Sequence, residues 1–195
     1  MASTRSAIHV NTDADNMMRL RSKQVSAYLK AHPIKNLLVV LTRNKNQNCV
    51  CYQAQLVGTQ YFASTPMVAF WMDIDPQYQK ANRAKGKMDD REELGAVEWR
   101  MAYGFKTVQR GNSKLPTEFA VTFQALKGRS ALPLVLRIVD EKSVLIATSR
   151  DGERFYVQRI HVNEKEGLVM PTVVDVRVIG QHVGNGKRMV EVLRA

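Results

Sequence analysis

The residues able to do chemistry are few and scattered. Histidines stand at His9, His32, His161 and His182, and a histidine becomes a general base only where a nucleophile and an orienting acid converge on it. His161, which shares a strand face with Arg159, is expected to be an ordinary half-exposed strand residue. Asp73 and Asp75 in WMDID project to one side of an extended segment, as chelation of a hard cation requires. The same two residues precede Pro76, where aspartate starts turns, and the turn reading is preferred. Cys49 and Cys51 lie two apart on a strand-like segment, their Cα atoms roughly 6.5–7 Å apart and at the limit of disulfide geometry. With no CxxC and no histidine at ligand spacing, they read as packed thiols of a reducing compartment. HExxH, GxSxG, P-loop and GxGxxG motifs are absent, and GNGK at 184–187 is too short for a phosphate loop. The sequence therefore names no catalytic residue, no metal site and no cofactor, and an enzyme is not expected.

Two sets of polar residues carry what functional signal there is. The first is Glu98, a carboxylate on a stripe with Leu94, Val97 and Met101, beside Trp99, Arg100 and Tyr103. A carboxylate on an apolar face needs a buried partner, and Arg137 and Arg177, which interrupt apolar strands, are the expected ones. Trp71, Glu98, Tyr103, Arg137 and Arg177 thus form a candidate pocket, read first as a structural ion pair and second as the polar end of a ligand site. The second set is the basic residues Arg19, Arg21 and Lys23 of an N-terminal helix and Lys80, Arg83, Lys85 and Lys87 of a later polar segment. The formal net charge is +11, which favours an acidic protein, nucleic acid or anionic membrane surface as partner. Residues 1–50 carry eight Lys/Arg against two Asp/Glu, and residues 101–150 eight against three, so the excess sits in two distant stretches. Neither stretch adds the aromatic residues or glycines of a sequence-reading nucleic-acid module.

The elements that must position these residues follow from periodicity. Residues 1–14 are small and polar, and are expected to be flexible. NMMRLRSKQVSAYLKA at 16–31 places Met18, Val25 and Leu29 on one helical stripe, with Asp15 or Asn16 as cap and Pro33 as stop. Strands are expected at 37–43, 49–57 and 67–73, then a loop or short helix at 76–90, and an acid-capped helix at 89–101. From Gly104 the chain reads as strands at 105–110, 117–126, 134–140, 143–149, 154–162, 172–180 and 188–193, with an Asp-Gly turn in RDGE at 150–153. The fold class is mainly β, an antiparallel barrel or sandwich of about nine or ten strands with one inserted helix and an N-terminal helix. Residues 1–35 form a flexible terminus and basic helix, and 36–195 a β-rich domain. The longest aliphatic run, LLVVL, is far short of a membrane span. An intracellular location is expected, the cytoplasm before the mitochondrion.

The words LTRNKNQNCVCYQAQL, VAFWMDID and REELGAVEWRMAYGFK resemble an uncharacterised family of small domains from bacteria and protists. Its recurring motifs are R-x-x-N-x-N, V-x-W and R-E-E-L…AYGFK, over about residues 37–170. The resemblance implies a family without an assigned activity, with Trp71, Glu92, Glu93 and Glu98 in motif positions. QYQKANRAKGKMDD and the basic N-terminal helix look like additions. The leading expectation is a non-enzymatic binding or scaffold module that engages an acidic protein assembly or nucleic acid through its basic surface. The alternative is a β-barrel carrier of a small ligand or lipid.

Overall fold

The computed structural model describes residues 12–86, 90–111, 116–128, 132–166 and 172–194, with the side chains of 12–17 and 21 outside that set. The flexible terminus expected up to residue 11, His9, Arg21's side chain and Lys87 therefore lie outside the described residues. The chain is mainly β. Helix α1 (Thr12–Ala31) is followed by β1 (Leu37–Arg43), β2 (Asn46–Ala54), a small hairpin of β3 (Leu56–Val57) and β4 (Gln60–Tyr61), and β5 (Met67–Met72). Helix α2 (Pro76–Ala84), β6 (Arg91–Glu93) and α3 (Ala96–Glu98), which runs into a π-helical turn at Trp99–Tyr103, lead to the strand-rich half. That half holds β7 (Phe105–Gln109), β8 (Glu118–Phe123), β9 (Leu134–Val139), β10 (Lys142–Thr148), β11 (Arg154–Lys165), β12 (Thr172–His182) and β13 (Arg188–Arg194).

The 12-residue β11 organises the sheet. Its first part pairs antiparallel with β10, Phe155 opposite Ala147. Further along the same strand β1 pairs in parallel, Val40 opposite Arg159. Two wings thus leave β11, one running β1-β2-β5-β6 and the other β10-β9-β8-β7, while β12 and β13 extend the opposite side. The wings curl into a half-barrel whose inner faces meet in one core: Tyr52 packs edge-on to Phe123 at 4.8 Å, and Tyr61 edge-on to Phe119 at 5.7 Å. The alternation expected of β8 holds, with Phe119, Val121 and Phe123 buried.

The outer face of β1, β2 and β5 is also apolar, because α1 lies on it. Val25 of the helix is buried with Val40, Cys49, Cys51, Phe70 and Met72. This second layer explains why β5 is apolar on both faces. Cys49 and Cys51 are free buried thiols with sulfurs 4.0 Å apart.

The structure differs from the sequence reading in several elements, beginning with the sheet, which was expected to be antiparallel and is mixed because β1 runs parallel to β11. Helix α1 already includes Thr12, so Asp15 and Asn16, the expected caps, lie inside it. The helix expected over 89–101 is instead a strand, β6, followed by a short helix after Gly95; Asp89 itself lies outside the described residues. The edge of β5 offers unpaired backbone groups, and Arg91–Glu93 satisfy them opposite Met72, Trp71 and Phe70. The apolar spacing that suggested the helix is not a core stripe, since Val97 and Met101 are 74% and 60% exposed.

Candidate functional site

The structure brings Trp71, Glu98 and Tyr103 together and leaves Arg137 and Arg177 elsewhere. Trp71 Nε1 donates to Glu98 Oε1 at 3.0 Å, and the Gly95 amide donates to Glu98 Oε2 at 2.9 Å. The carboxylate is thus held by an indole and by its own helix start. Tyr103 stands edge-on to Trp71 at 4.8 Å and carries the Arg43 guanidinium over its ring at 4.7 Å. Arg43 Nη1 bridges to the buried Glu164 at 2.8 Å. Burial pushes the Tyr103 phenol up to about 12, opposed in part by Arg43. Arg137 is exposed and 3.8 Å from Glu118, while Arg177 pairs with Asp175 at 3.2 Å. The ion partner expected for Glu98 is therefore replaced by neutral donors, which hold a partly buried carboxylate without a second buried charge. In the main core Trp71 and Tyr103 pack as wall residues. Both motif arginine and motif tryptophan serve this packing, which ties β1, β5, β11 and the π-helical turn into one unit.

The two aspartates have different contacts. Asp75 caps α2 by accepting from the Gln77 amide at 2.9 Å. Asp73 is buried and accepts from Asn48 Nδ2 at 2.8 Å and Asn82 Nδ2 at 2.5 Å. Asn48 in turn accepts from the amides of Ile74 and Asp75, so the motif asparagine positions the start of α2. No group of histidine, cysteine or acidic side chains suited to a metal occurs among the described residues.

His161 departs from its expected half-exposed state: it is 2% exposed, because α1 lies over that face of β11. Thr42 Oγ1 lies 2.9 Å from its Nδ1, a hydrogen bond whose direction follows the ring tautomer. Burial, reinforced by Arg177, lowers its pKa to about 4.

The basic residues are divided by α1. Lys80, Arg83 and Lys85 are exposed on or just after α2, near the flank of α1 where Tyr28 reaches Asp90. Arg19 and Lys23 face the other flank and line a groove of about 550 Å³ between α1 and the sheet, together with Ser22, Ser26, Arg159, Ile179 and Arg188. Among the described residues no carboxylate pairs with Arg19, Lys23, Arg159 or Arg188. Arg159 Nη2 is anchored on Ser26 Oγ at 3.1 Å, and burial, with Arg188 acting in the same direction, lowers its pKa. Sequence reasoning missed Arg159 and Arg188 as members of this set. The available signal was weak: Arg159 interrupts an apolar strand, and Arg188 opens the last one.

Fold and groove together define a curled, mainly β domain with a helix laid across its back and, beneath that helix, a groove whose cationic residues pair with no carboxylate among the described residues. Residues 39–192 match the family model described as a domain of unknown function, DUF4833, and the chain belongs to that family. No curated protein and no solved structure matches it. No helix among the described residues is long and apolar enough to cross a membrane.

Proposed function

We propose that this chain is a non-enzymatic binding or scaffold module that engages an acidic partner, a protein assembly or a nucleic acid, through its basic surface. The observation that supports this is the groove beside α1, where four cationic side chains gather with no acid among the described residues. Like charges held together around a concavity raise the local potential, and an anion relieves their repulsion. Seryl hydroxyls at Ser22 and Ser26 add neutral donors. The test is binding of labelled heparin, poly-glutamate and a single-stranded oligonucleotide to the full chain, measured by anisotropy over a salt series. Affinity for at least one polyanion should fall by roughly an order of magnitude as the Debye length shrinks from about 10 Å to about 3 Å. Salt-insensitive binding, or none, would overturn the proposal.

A second reading, the carrier of a small apolar ligand, rests on another concavity. The wings end at β6 and β7, and between the β5–β6 edge and β7 lies a groove of about 560 Å³ lined by Met67, Phe70, Leu94, Trp99 and Phe105. Its size and lining suit a small ligand. Trp71 and Tyr103, which first suggested a carrier, do not line it. Displacement of a fluorescent apolar probe, lost in Trp99→Ala, would favour this reading; no probe binding would remove it.

A further inference from the structure

The basic groove is continuous with an apolar row that charge alone does not use. Cross-strand partners share one face of a sheet, and β13 faces β12 with Arg188 opposite Gln181, Val190 opposite Ile179, Val192 opposite Arg177 and Arg194 opposite Asp175. Arg188, Val190, Val192 and Arg194 therefore form a row on the outer face, the face on which Arg177 meets Met18 of α1. The alternate residues turn inward, Leu193 into the core and Glu191 to Arg150 at 3.5 Å. Val190 and Val192 are 42% and 38% exposed. Among the described residues β13 pairs with β12 alone, so its other edge is open.

Resting on the basic-surface reading above, we infer that the partner segment is an extended acidic peptide stretch of another protein, added as a strand along the open edge of β13. An added strand satisfies the edge amides and carbonyls and places every second side chain on the outer face. Seven residues, Arg188–Arg194, then specify the pattern acid-x-aliphatic-x-aliphatic-x-acid: carboxylates beside the two arginines, aliphatics beside the two valines. The inward x positions meet Met189, Glu191 and Leu193 and disfavour further acid. Arg19 and Lys23 on the facing wall of the groove extend the cationic rim for acidic residues flanking the segment. Nucleic acid fits less well, since among the described residues no aromatic side chain lines the groove for base stacking and an aliphatic row offers a phosphate backbone nothing.

Three labelled probes on the intact chain test this at low salt: a peptide with the core Glu-Thr-Val-Thr-Val-Thr-Glu, its equal-charge control with serine at both valines, and an oligo-thymidylate. The aliphatic peptide should bind about tenfold tighter than the serine control. The double variant Val190→Ser/Val192→Ser, whose side chains are already partly in water, should keep its circular dichroism and lose that tenfold. Equal affinity for the serine control, tighter binding of the oligonucleotide, or undiminished preference in the double variant overturns the inference while leaving the basic-surface proposal standing. If none of the three binds and heparin and poly-glutamate also fail, both fall.

Discussion

His161 shows how a residue's chemistry is set by what covers it. Its ring is buried against Thr42, with Arg159 and Arg177 adding positive potential and Asp175 opposing it, and its pKa falls to about 4 from an ordinary 6.5. The folded protein therefore binds the proton less readily than the unfolded chain. Above about pH 6.5 both states are neutral and His161 adds no pH dependence; between about 6.5 and 4 the unfolded state alone gains the proton, and stability drops by up to about 3 kcal/mol. Urea midpoints taken from pH 7.5 to 4.5 should fall, and His161→Asn should flatten that part of the profile; an unchanged slope would remove the role. The Arg43–Glu164 pair makes a second case. Glu164→Ala strands a guanidinium that is 22% exposed and whose Nε has no hydrogen-bond partner among the described residues, at a cost of about 3 kcal/mol. Replacing both with methionine should recover most of that loss, and equal midpoints for Glu164→Ala and the parent would show that the pair carries no stability.

At the scale of elements, strand periodicity was legible and cover was not. The seven strands expected after Gly104 all form, because each alternates apolar and polar residues between turn signals such as Asp151-Gly152. His161 looked half-exposed because a period of two says which residues share a face, not what is laid on that face. Glu98 was expected to meet Arg137 or Arg177 because sequence spacing cannot show an indole donating across 27 positions. Close approach between strands was equally hidden. Gly180 sits where β12 passes β11 beside the register shift at Val157/Arg159, and a Cβ there would strike the carbonyl oxygen of Tyr156. That atom is backbone and cannot step aside. Gly180→Ala should therefore destabilise by about 2–3 kcal/mol, while Gly58→Ala, with open space around it and only a strained φ of 61°, should cost about 1 kcal/mol. Thermal melts of the two variants order them, and the reverse order would argue against the tight crossing. Removing residues 1–35 should do more than remove charge, since it bares Val40, Cys49, Cys51 and Phe70.

For the molecule as a whole the open question is whether its charge acts as a diffuse cloud or as a place. The sequence supplied the net charge of +11 and its uneven spread, but only the fold separates Arg19 and Lys23 from Lys80, Arg83 and Lys85 by setting α1 between them. Two triple variants distinguish the alternatives. Arg19→Glu/Lys23→Glu/Arg188→Glu alters the groove, and Lys80→Glu/Arg83→Glu/Lys85→Glu alters the opposite flank. Each reversal removes two charges, so either triple lowers the formal net charge from +11 to +5. All six side chains are exposed, and neither set breaks an ion pair among the described residues, so both variants should fold with melting points near that of the parent. A diffuse cloud predicts equal losses of polyanion binding. A cleft predicts that the groove triple loses binding by at least tenfold, while the flank triple loses only the severalfold change that long-range attraction supplies and recovers at moderate salt, where the Debye length falls below about 10 Å. Equal loss in the two would place the interaction on the surface at large and remove the groove as its site.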